Sequence, residues 1–244
     1  MGLALARRLV AEGTPVGVFD IASDGVAAAL EVLAGGPGPA RGFCVDVADE
    51  PAVDRAMTEA EEALGAIGGA VAAAGVRQTA IPDLDLSVEE WDRLYRVNVL
   101  GTFVFVRAAA RRMSRTGGGS IVTVGSIVAS HSRLGTTAYG ATKAAVLRMT
   151  QGLALDLAPY GIRVNAVCPG PTLTPMIEEA VRNEGPRLIE EKVGGNLATG
   201  RPAIPLGRMA QPEEQAAAMA FLLSGEASFI TGAALYVDGG LAVV

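Results

Sequence analysis

The sequence predicts an α/β protein, a single domain in which a parallel, doubly wound sheet carries helices on both faces and so forms three α/β/α layers. Three observations predict it. Short β-branched runs alternate with longer helical patterns along all 244 residues. Half the residues are hydrophobic but only 5% are aromatic, and 31 are glycine, the balance that buried strands, alanine-rich helices and glycine-rich turns produce. No repeat, linker or low-complexity stretch divides the chain, and its length suits one core.

Taken in order, residues 2–12 read as a helix ending near Gly13, and 16–19 as a strand closing on Asp20. A helix over 23–33 precedes the turn Gly35-Gly36-Pro37-Gly38. Strand 42–45, helix 51–64 and strand 69–73 follow. A long helical pattern covers 88–112. The run Ile121-Val122-Thr123-Val124 makes a fully buried strand at 120–124. Helix 138–158 and the apolar strand 162–167 come next. A lid-like helical segment is expected over 174–200, then helix 212–223 and a last strand over 233–237. In such a sheet, ligands sit at the carboxyl ends of the strands.

Composition excludes several function classes. A net charge of −6 and a pI near 4.9 argue against a nucleic-acid or anionic-membrane surface. No apolar run approaches the ~20 residues of a membrane span. The opening Met1-to-Gly13 stretch mixes apolar and Arg residues without a small-residue cleavage site, so it is not read as a signal peptide. Cys44 and Cys168 read as buried thiols of a cytoplasmic protein. With one histidine, His131, and no cysteine pair at ligand spacing, a zinc site is not expected. A Ser-His-Asp hydrolase would need that one histidine, and Gly-x-Ser-x-Gly is absent.

The chemistry concentrates between Gly119 and Lys143. Ser126 follows the buried strand, Tyr139 comes thirteen residues later, and Lys143 four after that. On a helix, Tyr139 and Lys143 share one face one turn apart. A phenol with a free pKa of about 10 is a poor base at neutral pH. A neighbouring ammonium favours the phenolate, and Ser126 can hold the oxygen whose proton Tyr139 gives or takes. The trio suits interconversion of an alcohol and a ketone, given a hydride carrier. Taken singly, each residue has a plainer reading: Tyr139 in the core or an interface, Lys143 solvated, Ser126 a cap.

With these residues in this strand order, the chain resembles the short-chain dehydrogenase/reductase family from Gly2 to its C-terminus, which implies a Rossmann-like fold. Gly2 matches the last glycine of that family's cofactor loop. Met1-Gly2 is then the tail of the loop, and the strand expected before it lies outside the sequence. A strand missing there would leave two neighbours with unpaired backbone, at ~1–3 kcal/mol per buried group. Two expectations follow: a start placed at an internal Met, which is favoured, or a compromised fragment.

The resemblance implies roles for further residues. Asp20 matches the acidic residue that holds the adenine ribose hydroxyls, which favours NAD over NADP; its plainer role is to cap helix 23–33. Asp46 and Val47 match the pair at the adenine. Ala72-Ala73-Ala74-Gly75 stands where two asparagines usually precede Ala-Gly. Asn98 matches the fourth catalytic residue, extending a proton relay from Lys143. Pro169 and Gly170 match the turn at the nicotinamide, with the backbone at Thr172 and the hydroxyl of Thr174 on its carboxamide. Tyr139 is then the acid/base, Lys143 lowers its pKa and holds the nicotinamide ribose, and Ser126 orients the substrate. A homotetramer is expected, paired through the helices at 88–112 and 138–158 and the last strand.

Within the family, the chain is similar to dehydrogenases of 2,3-dihydro-2,3-dihydroxybenzoate from catechol-siderophore pathways. Shared features are Gly-Ser-Ile-Val-Thr-Val-Gly-Ser, an arginine at Arg133, and a 27-residue gap between Met176 and Ile204. That likeness implies a cyclic dihydrodiol as substrate, with Arg133 as a bidentate clamp on its carboxylate; a solvated loop arginine is the plainer reading. Pro171, Leu173 and Pro175 depart from the pattern. The second reading is a 3-oxoacyl-thioester reductase, with Arg111, Arg112 and Arg115 toward an acidic carrier protein, although these also suit a helix C-terminus. The third, from another class, is a non-catalytic subunit that pairs with a complete paralogue.

Overall fold

β-Branched and small apolar residues build six strands among the described residues of the computed structural model, which are 1–78, 82–196 and 202–244. β1 (Val16–Asp20) pairs in parallel with β2 (Ala40–Cys44). β3 (Gly69–Ala72), β4 (Gly119–Val124), β5 (Ile162–Pro169) and β6 (Ala234–Val237) form a second parallel sheet in that order. The single sheet expected from the alternation thus comes in two pieces. β1 and β3 do not pair, and a cavity of about 1030 Å³ lies along both. Val16 to Phe19 and Gly69 to Ala72 line it, and Leu5, Ala6 and Leu9 with Phe105 complete its walls.

The helices are α1 (Gly2–Ala11), α2 (Ser23–Leu33), α3 (Glu50–Leu64), α4 (Val88–Tyr95), α5 (Thr102–Met113), α6 (Thr137–Leu157), α7 (Pro175–Glu184), α8 (Arg187–Gly194) and α9 (Pro212–Leu223). Alternate residues of β4 serve the two faces of the sheet, as the period of two requires. Ile121 joins Val53, Met57, Val106 and Met113 of α3 and α5. Val122 and Val124 join Leu5 of α1 and Met219 and Leu222 of α9. Thr123, fully buried, shares a 2.7 Å hydrogen bond with Thr150, which fixes α6 on the sheet. Gly118 lets the loop before β4 approach Gly161 closely. It sits at φ +111°, and a Cβ there would come 2.4 Å from the Gly161 carbonyl oxygen.

Four expectations need correcting. The first is Cys44, which is exposed at the end of β2, while Cys168 is buried as expected. The long helix at 88–112 contains a π-helical turn, Arg96–Gly101, between α4 and α5. The second strand spans Ala40–Cys44, two residues earlier than its apolar pattern. The lid-like segment is two short helices, α7 and α8, and its last residues, 197–200, fall outside the described residues. No described helix is long and apolar enough to cross a membrane.

Candidate active site

The parallel register aligns the carboxyl ends of three strands. Ala72 lies opposite Thr123, and Val124 opposite Val167, so Ala74-Gly75, Ser126 and Pro169-Gly170 leave the sheet along one edge. α6 crosses this edge. Its amino end carries Tyr139, and one turn later Lys143 points back under the sheet end.

Lys143 is buried, and its Nζ donates to the Val124 carbonyl at 2.9 Å. The same nitrogen lies 5.7 Å from the centre of the Tyr139 ring. Gly75 completes the corner: a Cβ there would come 3.2 Å from Asn98 Oδ1 and 3.5 Å from Lys143 Nζ. Gly75, Asn98 and Lys143 are therefore packed together, with little room for a side chain at Gly75.

Asn98 is fully buried inside the π-helical turn. Such turns recur at functional sites because they re-aim one residue of a helix. The Asn98 amide accepts from the Val76 N–H at 2.8 Å and donates to the Val76 carbonyl at 3.0 Å and to Thr142 Oγ1 at 3.1 Å. Thr142 donates in turn to the Tyr139 carbonyl at 2.7 Å. Asn98 thus ties the segment after β3 to α6. Its own carbonyl accepts from Thr102 at 2.7 Å.

Ser126 is buried at the end of β4 and accepts from the Val128 N–H at 3.3 Å, which starts a short 3₁₀ turn. Burial pushes the Tyr139 pKa up to about 12, against a hydrogen bond with Ser126 and the positive charge of Arg77, both of which lower it. As a residue Tyr139 is only partly buried, but desolvation of its phenol outweighs both effects. Burial also lowers Lys143 to about 8, with an opposing pull from Cys168. Ser126 and Arg77 lower the phenol here; Lys143, expected to do so, holds its Nζ 5.7 Å from the centre of the ring.

The expected cofactor residues are arranged as follows. Gly2 opens α1, and a Cβ on it would sit 3.5 Å from the Ala73 Cβ, so the amino end of α1 abuts the end of β3. Asp20 is exposed at the end of β1; its Oδ1 accepts from the Ala22 N–H at 2.9 Å at the start of α2. Asp46 bonds the Ala48 N–H at 2.9 Å and pairs with Arg96 at 3.3 Å. Buried Val47 packs so tightly on Gly101 that a Cβ there would come within 2.6 Å of its Cγ2. Gly170 abuts Asp238, whose Cα would be 2.7 Å from an added Cβ. Thr172 is buried, donates to the Gly170 carbonyl at 3.0 Å and accepts from Gln215 at 3.2 Å; Thr174 donates to the Thr172 carbonyl at 3.4 Å. Arg133 lies partly buried in the loop between Ser126 and Tyr139, its carbonyl accepting from Thr136 at 2.8 Å.

A family model described as Enoyl-(Acyl carrier protein) reductase matches residues 1–242. The mouse (Mus musculus) protein "(3R)-3-hydroxyacyl-CoA dehydrogenase" is 37% identical over 252 residues, covering 99% of this chain and 92% of the relative. The chain belongs to the short-chain dehydrogenase/reductase family. The Bacillus subtilis (strain 168) "2,3-dihydro-2,3-dihydroxybenzoate dehydrogenase" is 36% identical over 240 residues, covering 98% of this chain and 91% of the relative. The crystal structure of an NAD⁺-bound xylitol dehydrogenase superposes with a TM-score of 0.89 at 29% identity, covering 98% of this chain and 94% of that one. This short-chain dehydrogenase/reductase is an NAD(P)-dependent oxidoreductase acting on CH–OH groups.

Sequence reasoning missed Thr142, Arg77 and Gln78. Thr142 sits inside Tyr-Gly-Ala-Thr-Lys, and its i+3 spacing from Tyr139 was the available signal. Arg77 and Gln78 look like ordinary loop residues, and nothing local marks them.

Proposed function

We propose that this dehydrogenase oxidises a cyclic, dihydrodiol-type secondary alcohol with NAD. The observation that supports it best is the corner at the end of β4. There Lys143 Nζ, bonded to the Val124 carbonyl, stands 5.7 Å from the centre of the Tyr139 ring, and the Ser126 hydroxyl acts to lower the phenol pKa, on the strand edge where a substrate can lie. The bare Cα of Gly75 beside the Lys143 ammonium and the exposed carboxylate of Asp20 fit a nicotinamide dinucleotide along that edge. NAD, when bound, supplies the acceptor for the hydride of the carbinol carbon. Asp20 and Gly2 would hold its adenosine and pyrophosphate, with Asp46 and Val47 at the adenine. Ala74, Gly75, Pro169, Gly170, Thr172 and Thr174 would frame the nicotinamide half. No arginine or lysine follows Asp20 in Ile21-Ala22-Ser23 to receive a 2′-phosphate, which favours NAD over NADP.

In this reading the Ser126 hydroxyl orients the alcohol oxygen and Tyr139 takes its proton. Lys143 binds the nicotinamide ribose, while Asn98 holds the segment after β3 against α6. Arg133 is the candidate clamp on a substrate carboxylate. A homotetramer fits the exposed apolar side chains Leu100 and Leu155 on the helices expected to pair.

The mouse relative supports a second reading, oxidation or reduction at C3 of an acyl thioester. A carrier-protein patch made by Arg111, Arg112 and Arg115 is not what the structure gives, because Arg112 is buried against Asp54, Thr58 and Glu61. Formation of NADH from NAD, or of NADPH from NADP, by the purified protein on cyclic cis-diols and on 3-hydroxyacyl thioesters decides between the readings. Faster turnover of the diol with NAD is expected; preference for the thioester or for NADP would replace this assignment.

A further inference from the structure

Gln215 is a fully buried amide on a helix face whose other buried side chains are all apolar. It lies on α9 one turn before Met219 and two turns before Leu222, both sealed in the core. Helical spacing calls for an apolar residue at this position. Its Nε2 donates to the Val237 carbonyl at 2.8 Å, at the end of β6, and to Thr172 Oγ1 at 3.2 Å. A carbonyl can only accept, so this contact fixes which end of the amide is nitrogen.

Thr172 Oγ1 passes the bond on to the Gly170 carbonyl at 3.0 Å, and the Gly170 N–H donates to the Val237 carbonyl at 3.1 Å. Both amide protons of Gln215 thus serve the turn that leaves β5 and its seat on β6. The Oε1 is sealed from solvent and has no partner among the described residues. Native structures rarely keep such an acceptor without use.

Stability alone does not explain the amide. An apolar side chain of the same length would remove the unpaired acceptor. It would not orphan the groups that Gln215 touches. The Val237 carbonyl would keep the Gly170 N–H, and the Thr172 hydroxyl would keep the Gly170 carbonyl. What the amide adds is placement: it draws the Thr172 side chain to α9 and holds Gly170 against the end of β6, on the same strand edge as Ser126.

We propose that Gln215 is a positioning residue for the cofactor, which sets the Gly170–Thr172 turn against the nicotinamide by gripping Thr172 and the end of β6 together. It acts through Thr172 and touches no reacting atom. This rests on the reading above that the turn after β5 frames the nicotinamide half.

The test compares wild type with Gln215→Met, Thr172→Val and the double variant. Calorimetry measures binding of NADH and of ADP-ribose, which lacks the nicotinamide and reports the adenosine half alone. Hydrogen exchange is followed by NMR at the Leu173 N–H, which donates to the Ala210 carbonyl at 2.9 Å within the same turn. Melting temperatures are recorded alongside. For Gln215→Met we expect NADH binding to weaken about tenfold and ADP-ribose binding to stay within about twofold of wild type. Its melting temperature should stay within about 3 °C, and exchange at Leu173 should quicken about tenfold. Thr172→Val breaks the same relay from its other end and should give the same pattern, which also serves should the methionine variant fail to fold. The double variant should bind NADH about as Gln215→Met does, because the relay is already broken.

Equal weakening of NADH and ADP-ribose would make Gln215 a structural residue and overturn the proposal, as would unchanged NADH binding or effects that multiply in the double variant. Wild type that binds NADH no more tightly than ADP-ribose would sink the nicotinamide reading of the turn. Exchange at Leu173, faster in Gln215→Met or unchanged, still decides whether Gln215 holds that turn.

Discussion

The Lys143 ammonium donates to the Val124 carbonyl at 2.9 Å, which places a buried cation at the carboxyl end of the central strand β4. One accepting carbonyl does not replace the water the ammonium has lost, so burial lowers its pKa to about 8. The phenol one turn earlier moves the other way, up to about 12. In the free protein both groups are pressed toward their neutral forms.

This has a consequence for stability. The folded pKa of Lys143 lies below its unfolded value of 10.5, so between about pH 8 and 10.5 the unfolded chain binds more protons and stability from this group rises with pH. Lys143→Met should remove that rise. At pH 7 it should stabilise the fold by up to about 3 kcal/mol, less what the Val124 hydrogen bond contributes. Urea unfolding across this pH range measures both. A Met variant less stable than wild type at pH 7 would mean the ammonium is well solvated.

A high phenol pKa also shapes the rate. Alcohol oxidation needs Tyr139 to accept a proton, so kcat/KM for oxidation should climb with pH from neutral into the alkaline range, about tenfold per unit while the phenolate is scarce. Ketone reduction needs the protonated phenol and should not climb. Because Arg77 lowers the phenol pKa, Arg77→Ala should displace the oxidation profile to higher pH. An unmoved profile would remove Arg77 from the account.

Asp20 holds the Ala22 N–H and still presents an exposed carboxylate at the end of β1. Asp20→Ala should cut the preference for NAD over NADP about tenfold by removing the charge that repels a 2′-phosphate. The lost helix-start bond should cost about 1 kcal/mol. Kinetics with each cofactor would show it, and an unchanged ratio would leave Asp20 as a cap only.

Asn98→Ala leaves both Val76 backbone groups without their partner inside a buried turn. A loss of about 2–4 kcal/mol is expected in urea unfolding. Activity should fall with it, because the segment bearing Gly75 is no longer held against α6. A loss below about 0.5 kcal/mol would show that Asn98 does not carry that joint.

Much of this arrangement is legible in the residues themselves. Ile121-Val122-Thr123-Val124 could only be a buried strand, and the Tyr139–Lys143 spacing put both side chains on one helical face. The π-helical turn at Asn98 was not legible, because hydrophobic periodicity over 88–112 does not distinguish a local i→i+5 turn from a continuous α-helix. Nor was the engagement of Asp46 by Arg96, fifty positions away, or of the Tyr139 N–H by Gln78. These contacts depend on how the strands order in space. The balance between burial and neighbouring charge at Tyr139 escaped for the same reason: spacing shows which groups meet, not how much water they keep.

The central claim, that the Tyr139 phenol moves the proton, is tested most directly by turnover of Tyr139→Phe, with NADH binding measured on the same preparation. The account predicts that NADH binding stays within about threefold of wild type while alcohol oxidation falls by at least about 10²-fold, the scale of a lost acid/base group. A phenylalanine variant that keeps a tenth of the wild-type rate would contradict it.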